Sequence, residues 1–432
     1  MHDALTGLLA RRPVAERETW RSLWDRLGDG TLGKEQAVAL LASLTTRLPG
    51  PETLRALLDS LLERRPAAPA GRWDGTVNVV GTGGGPATFN ISTASAFVAA
   101  AAGVRVVKTG SRAYTSSLGS VDLLERLGVR PTASYAHTER TLEEYGIAFA
   151  GPFVYPAELA RLARTVAPLS MKPFGRFLNA LGPFLAGLPV TAQVTGVSHT
   201  MPLPALRDLA GTVTDRRIWL TTNTEGADEL LPFADNVLHL NAPAPVPSAV
   251  PGGGGGVPGP RGVPGPRGVP GPRGVPGPRG ADRAGPAAGG PGGGTGPRPA
   301  DGRSGTAVPG GPGAPAVPGG LGLAVAGGDR TATIALTAGT LLPADGSLDD
   351  LRPVTPADAA GHFLDVLSGA AGATATRTVC LNAAALAVAS GHSDGWPAAL
   401  AAAERAVTGG AARELAERMR AARTAAAGVR RG

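Results

Sequence analysis

A single cysteine, Cys380, stands among the 432 residues, which excludes an internal disulfide and any cysteine-rich metal centre. Aromatic residues make up only 4% of the chain, few for the stacking surfaces on which single-stranded nucleic acid is bound. No apolar run reaches the roughly 18 residues that would span a bilayer, so no membrane partner is expected. The six histidines are dispersed, and none is spaced from another as metal ligands are. The N-terminus carries Asp3 early and lacks a basic head followed by an apolar stretch, so a cytoplasmic location is the expectation.

Glycine and proline are in excess, 64 and 40 residues, about twice their ordinary share. Between Pro251 and Gly320 there are 27 Gly and 17 Pro, leaving too little apolar surface for a core. The hexapeptide Gly256-Val257-Pro258-Gly259-Pro260-Arg261 is followed by three further copies, so Gly falls at every third position from Gly256 to Gly280. That is the collagen period, but it stops at once on both sides. The expectation is a basic, disordered insertion over 242–327.

The rest of the chain reads as globular. Over 1–70 apolar residues recur at helical spacing, as in Leu40, Leu41, Leu44 and Leu48, then Leu54, Leu57, Leu58, Leu61 and Leu62. Three or four short helices are predicted there, their stripe serving as core or dimer face. From 71 to 241 strands and helices alternate: Thr76 to Val80, Val104 to Val107, Gln193 to Val197 and Arg217 to Leu220 read as strands, Ser92 to Ala102 and Val121 to Leu127 as helices. A further strand is predicted at Thr331 to Thr337, within a C-terminal part over 328–432, with helices at Asn382 to Ser390 and Ala398 to Ala421. The expected fold class is α/β: a small N-terminal helical bundle and a larger domain with a central, mostly parallel sheet flanked by helices.

Three clusters have the composition of an anion site. Gly81-Thr82-Gly83-Gly84-Gly85 lies between a predicted strand and helix, where backbone N–H groups can turn toward an anion and no Cβ blocks its approach. A tight structural turn would look the same, and the loop lacks the Lys-Ser ending of a nucleoside-triphosphate loop. Lys108-Thr109-Gly110-Ser111-Arg112, followed by Thr115-Ser116-Ser117-Leu118-Gly119-Ser120, sets cations among hydroxyls directly after a strand. Asp228-Glu229 offers two adjacent hard oxygen donors suited to Mg²⁺, or equally a solvated acidic helix start. The net charge of +7 permits an anionic partner without choosing one.

The string from Gly81 through Asn90-Ile91-Ser92-Thr93, the string from Lys108 through Gly119-Ser120, Phe177-Leu178-Asn179-Ala180-Leu181-Gly182-Pro183, Gly226-Ala227-Asp228-Glu229 and Leu381-Asn382-Ala383-Ala384 resemble anthranilate phosphoribosyltransferase, in that family's order and spacing outside the insertion. The resemblance implies a homodimer formed through the N-terminal helices and an α/β domain that binds phosphoribosyl pyrophosphate with Mg²⁺. It assigns the donor to Gly81, Thr82, Gly83, Gly84, Thr88, Asn90, Ser92, Thr93, Lys108, Ser116, Ser117, Gly119 and Ser120, with Lys108 acting electrostatically. It assigns the metal to Ser92, Asp228 and Glu229, and the acceptor to Thr109, Gly110, Ser111, Ser170, Lys172 and Arg176.

The departures from the family fall mainly on the acceptor side. Thr109 and Ser111 stand where the family has His and Asn, and Gly85 where it has Asp. Ser170-Met171-Lys172, with Arg176 further on, stands where it has a carboxylate-gripping Arg, which a point-charge Lys does not replace equivalently. The expected reaction is Mg²⁺-dependent transfer of phosphoribosyl to the amine of anthranilate or a related aromatic acceptor, with release of pyrophosphate.

Two other readings stay open. A pyrimidine-nucleoside phosphorylase has a similar glycine loop but no use for the Asp228-Glu229 pair. A non-catalytic relative would bind nucleic acid, and otherwise nucleic acid is expected only as nonspecific contact through Arg261, Arg267, Arg273 and Arg279 of the insertion. Cys380 is expected to be a buried small residue, and His137 is a candidate to compensate for Thr109.

Overall fold

The computed structural model describes residues 1–69, 71–110, 118–171, 174–241, 325–328 and 331–429. Ser111, Ser116, Ser117, Lys172, the repeat arginines and most of the predicted insertion lie outside the described residues.

Four helices come first: α1 (Asp3–Leu9), α2 (Arg17–Gly28), α3 (Lys34–Thr46) and α4 (Pro51–Leu62). Pro51 opens α4, where its missing N–H costs nothing. Leu54, Leu57, Leu58 and Leu61 then form its buried stripe. Trp20 and Trp24 fill the centre of this layer, their indole N–H groups donating to the Val14 carbonyl (3.0 Å) and the Ser60 hydroxyl (2.9 Å). The α/β part follows as β1 (Trp73–Gly81), α5 (Ile91–Ala101), β2 (Arg105–Thr109), α6 (Ser120–Leu127), α7 (Tyr135–Tyr145), β3 (Ile147–Ala150), α8 (Ala157–Thr165), α9 (Gly175–Leu185), β4 (Val190–Gly196), α10 (Leu203–Thr212), β5 (Arg217–Asn223) and β6 (Asn236–Asn241). The chain ends with β7 (Val325–Gly328), β8 (Thr331–Leu336), α11 (Ala359–Leu367), α12 (Ala373–Ser390), α13 (Trp396–Thr408) and α14 (Ala411–Val429).

One eight-stranded sheet runs in the order β3-β2-β1-β4-β5-β6-β8-β7. The five strands from β3 to β5 are parallel, and β6, β8 and β7 add on antiparallel. β1 is covered on both faces, and Thr76 to Val80 are all buried, as expected of a central parallel strand. The sequence proceeds from β1 outward through β2 to β3, then returns to place β4 on the other side of β1. This reversal is a topological switch point, where the loops beyond the carboxyl ends of neighbouring strands part and leave a crevice.

One face of the sheet packs against α5, α6 and α11 to α14, with Phe97, Val379, Cys380 and Trp396 at the centre. The other face packs against the N-terminal helices, and the same core takes in Leu162 of α8, Phe177 and Leu181 of α9, and Leu206 of α10. The helical layer therefore draws on both sides of position 70. β7 starts inside the stretch read as insertion. Asn241 pairs directly with Thr331.

Two details differ from the helical spacing. The run from Ala398 to Ala421 is broken into α13 and α14 because Gly410 takes a left-handed φ of +80°. The helix expected from Asn382 begins at Ala373, so Cys380 sits well inside α12, fully buried. Burial pushes its thiol up to about 12, away from nucleophilic use. Among the described residues no helix is long and apolar enough to cross a membrane.

Candidate anion and metal site

The carboxyl end of β1 runs into the glycine loop, and neighbouring strands hold it there. Thr82 N–H donates to the Gly196 carbonyl of β4 (2.8 Å), extending the ladder by one residue. Its hydroxyl accepts from Ser198 N–H (3.1 Å), and the Ser198 hydroxyl donates to the Gly83 carbonyl (2.7 Å). Gly83 and Gly84 both take positive φ, +62° and +80°, which lets the chain turn back without the penalty a side chain would incur. Gly83 N–H donates to Asp228 Oδ2 (2.8 Å). Asp228 comes this close because β1 and β4 end in glycine: a Cβ on Gly81 would overlap the Asp228 carboxylate, and one on Gly196 its carbonyl. Gly85 is crowded as well, since a Cβ there would meet the Gly226 carbonyl at 2.8 Å.

Lys108, at the end of β2, is only 4% exposed and donates from Nζ to the Ser92 hydroxyl in the first turn of α5 (3.1 Å). Burial lowers its ammonium to about 8, while Glu229 and Asp228 pull the other way. Glu229 is buried too. Desolvation, then the charge and hydrogen bond of Asp228, hold its carboxyl well above the usual range, with Lys108 opposing. Its Oε2 has no hydrogen-bond partner, so a buried acceptor is left facing its neighbours uncompensated.

These groups line a cleft of about 310 Å³. Its walls bring together Gly81, Thr82, Gly83, Gly84, Thr88, Asn90, Ser92, Lys108, Thr109, Gly110, Gly119, Ser120, Asp228 and Glu229. The amino ends of α5 and α6 reach it through Asn90, Ser92, Gly119 and Ser120, adding two positive helix ends to the backbone N–H groups. Thr109 also lines it, but its N–H and hydroxyl both donate to Asn78 Oδ1 (3.2 Å each). Asn78 Nδ2 donates in turn to Gln193 Oε1 (3.1 Å), and Gln193 Nε2 to the Pro183 carbonyl of α9 (3.0 Å).

Three residues assigned by the resemblance, and the candidate His137, do not line this cleft. Thr93 is fully buried behind Ser92, its hydroxyl without a partner, because the helical turn that aims Ser92 at the cleft aims Thr93 inward. Ser170 is exposed, as is Arg176, whose guanidinium donates to the Thr200 carbonyl (3.4 Å). The α9 residue that lines the wall is Asn179, a polar position in an otherwise apolar string. Ser198 was also missed, and its place just beyond β4 was the available signal. His137 lies in the first turn of α7, where its Nδ1 accepts from Ala133 N–H (3.3 Å), and does not line the cleft.

Among the described residues no three His, Cys, Asp or Glu side chains gather as a metal group. A divalent ion at Asp228 and Glu229 would complete its shell with ligand and water oxygens, as Mg²⁺ commonly does. The orphaned Glu229 Oε2 fits that use.

Residues 74–244 match the model of a glycosyl transferase family, α/β domain. The anthranilate phosphoribosyltransferase of Synechococcus sp. is 38% identical over 214 residues, which are 48% of this chain and 60% of that protein. The chain thus spans somewhat under two thirds of that relative. The enzyme of the same name from Desulfitobacterium hafniense is 34% identical over 233 residues, 53% of this chain and 67% of that protein. In three dimensions the chain resembles anthranilate phosphoribosyltransferase from Thermus thermophilus, with a TM-score of 0.61 at 24% identity over 97% of this chain and 98% of that one. It resembles the Saccharomyces cerevisiae enzyme in complex with PRPP and Mg at a TM-score of 0.59 and 16% identity, over 95% and 92%. The structural likenesses bear on the fold alone, whereas the identity and coverage shared with the Desulfitobacterium protein establish that this chain belongs to the anthranilate phosphoribosyltransferase family.

Proposed function

We propose that the chain transfers a phosphoribosyl group from phosphoribosyl pyrophosphate to the amine of an aromatic acceptor, anthranilate or a relative of it, and releases pyrophosphate. The observation that carries this reading is the hydrogen bond from Gly83 N–H to Asp228. It makes the glycine loop and the carboxylate pair one structure, with Lys108 behind both, so anion donors and a cation site face a single cleft.

In the reaction the amine nitrogen forms a bond to the anomeric carbon as the bond from that carbon to pyrophosphate breaks. The leaving group takes the bonding electrons and the amine then loses a proton. Positive charge grows on the sugar and negative charge on pyrophosphate, so positioning and electrostatic stabilisation do the work. Lys108 and the amino ends of α5 and α6 would hold the departing pyrophosphate. Asp228 and Glu229 would hold Mg²⁺, which when bound neutralises charge on the pyrophosphate. Thr109 lines the cleft while its hydroxyl donates to Asn78, and Arg176 stands outside it and donates to Thr200.

Incubating the full chain with phosphoribosyl pyrophosphate, Mg²⁺ and a panel of aromatic amines and acids should release pyrophosphate with at least one acceptor. No release with any acceptor from folded protein would refute the proposal. Asp228→Asn with Glu229→Gln should abolish the activity, and a folded variant that turns over unchanged would show that the reaction does not need the carboxylate pair.

A further inference from the structure

Asp228 and Glu229 lie on the loop between β5 and β6, outside regular structure. Two adjacent acidic side chains, Glu229 buried and Asp228 half-buried, repel when ionised, and an unrestrained loop would swing them outward to water. Side-chain amides hold this one by its main chain. Asn223, ending β5, accepts from Ala227 N–H (3.2 Å) and donates to the carbonyls of Ala227 (3.0 Å) and Glu229 (2.6 Å). Asn236, starting β6, accepts from Leu231 N–H and donates to its carbonyl, both at 2.8 Å.

The third amide comes from elsewhere. Asn382 of α12 accepts from Leu230 N–H (3.0 Å) and donates to the Leu230 carbonyl (2.8 Å), across 152 positions of sequence. Its Nδ2 also donates to the Thr378 carbonyl one turn earlier (2.8 Å), so the amide is fixed to its own helix while it grips the residue directly after Glu229. Asn223 and Asn236 belong to the strands that flank the loop, so their bonds stay within its own β5–β6 connection. Asn382 alone of the three ties the loop to α12, which packs on α5, the helix that carries Ser92.

We propose that Asn382 is a positioning residue for the carboxylate pair, setting Glu229 and Asp228 against Lys108 and the glycine loop so that they can take a divalent cation. It touches neither ion nor substrate. The proposal rests on the metal-holding role given to Asp228 and Glu229 above. Residues that orient metal ligands through hydrogen bonds commonly change metal affinity roughly 10- to 100-fold when replaced.

The test uses the full-length protein with Mn²⁺ and pyrophosphate as probes, free Mn²⁺ being read by its paramagnetic resonance signal. Asn382→Ala should weaken Mn²⁺ binding roughly tenfold or more, and Asn382→Asp, which keeps the acceptor for Leu230 N–H but loses the donor, should lie between it and wild type. The half-saturating Mg²⁺ concentration for turnover should rise, with kcat largely recovered at saturating Mg²⁺. Asn241→Ala is the control, since it removes a buried amide bonded to Ile218, Ala210 and Val213 without touching the carboxylate loop. It should lose stability and keep its Mn²⁺ affinity. If Asn382→Ala does not fold, Asn382→Asp decides. Affinity within about twofold of wild type in the folded Asn382 variant, or an equal loss in Asn241→Ala, overturns the proposal while leaving the metal reading standing. A wild-type protein that binds no Mn²⁺ with pyrophosphate removes the metal reading and this proposal with it.

Discussion

Replacing Lys108 with Met should make the protein more stable and less able to bind its anion. The ammonium is buried, and burial holds it at about 8 against an ordinary 10.5. Relative to the unfolded chain, keeping that group charged in the fold therefore costs free energy at neutral pH. At about 1.4 kcal/mol per pH unit the cost is on the order of 3 kcal/mol, already net of the attraction to Glu229 and Asp228. Met has nearly the same length and no charge, so Lys108→Met should recover much of that figure at pH 7 and raise the unfolding temperature by a few degrees.

The pH dependence follows from the same group. Because the folded ammonium is depressed, the unfolded chain binds the extra proton between about pH 8 and 10.5. Stability should then rise with pH across that window, while below pH 8 the full penalty is present. Urea unfolding at pH 7 and pH 10 should show this rise in wild type and not in Lys108→Met, and calorimetry should show pyrophosphate affinity reduced roughly tenfold or more. A Lys108→Met protein that is folded but less stable than wild type at pH 7, or that keeps the rise above pH 8, would refute the reasoning.

Two other perturbations address how the cleft is built. Gly196→Ala places a Cβ on the Asp228 carbonyl, so the carboxylate loop must move. Overpacking of this kind costs about 1–3 kcal/mol, and in a thermal-shift titration the stabilisation by pyrophosphate with Mg²⁺ should be lost; a variant still stabilised as wild type is would show that the loop does not need this contact. Asn78→Leu strands the Thr109 N–H and the Gln193 amide inside the sheet and should destabilise by about 3 kcal/mol, whereas adding Gln193→Leu should restore part of it, because replacing both partners of a buried pair costs less than orphaning one. Additive losses in urea denaturation would show that Asn78 and Gln193 do not act as a pair.

Much of the cleft was legible along the chain because its residues contradict their surroundings. Five positions that are nearly all glycine between an apolar strand and an apolar helix, a lysine ending the strand Val104 to Val107, and adjacent acids after Gly226 are costly unless something uses them. Facing was less legible. Ser92 lines the cleft and Thr93 does not, a distinction set by a 100° helical step that composition does not record. Asn179 reaches the wall from the helix that also carries Arg176, the residue to which the family resemblance points. The break at Gly410 carried its signal in two successive glycines, yet the apolar period resumes so soon after them that α13 and α14 read as one.

By itself the sequence determined the local elements: helices from 3.6-residue apolar spacing, strands from short β-branched runs, the glycine loop from residues that tolerate positive φ, and a long Gly/Pro-rich stretch with too little apolar surface for a core. Only the tertiary structure decided which of these meet. Placing β4 beside β1 brings Gly196 next to Gly81 and opens room for Asp228, which is 147 positions beyond Gly81. Asn382 likewise reaches Leu230 across the whole Gly/Pro-rich stretch. Those contacts come from the parallel strand order and from helices packing on both faces of one sheet, and such order is a property of the shared core, which no local run of residues encodes alone.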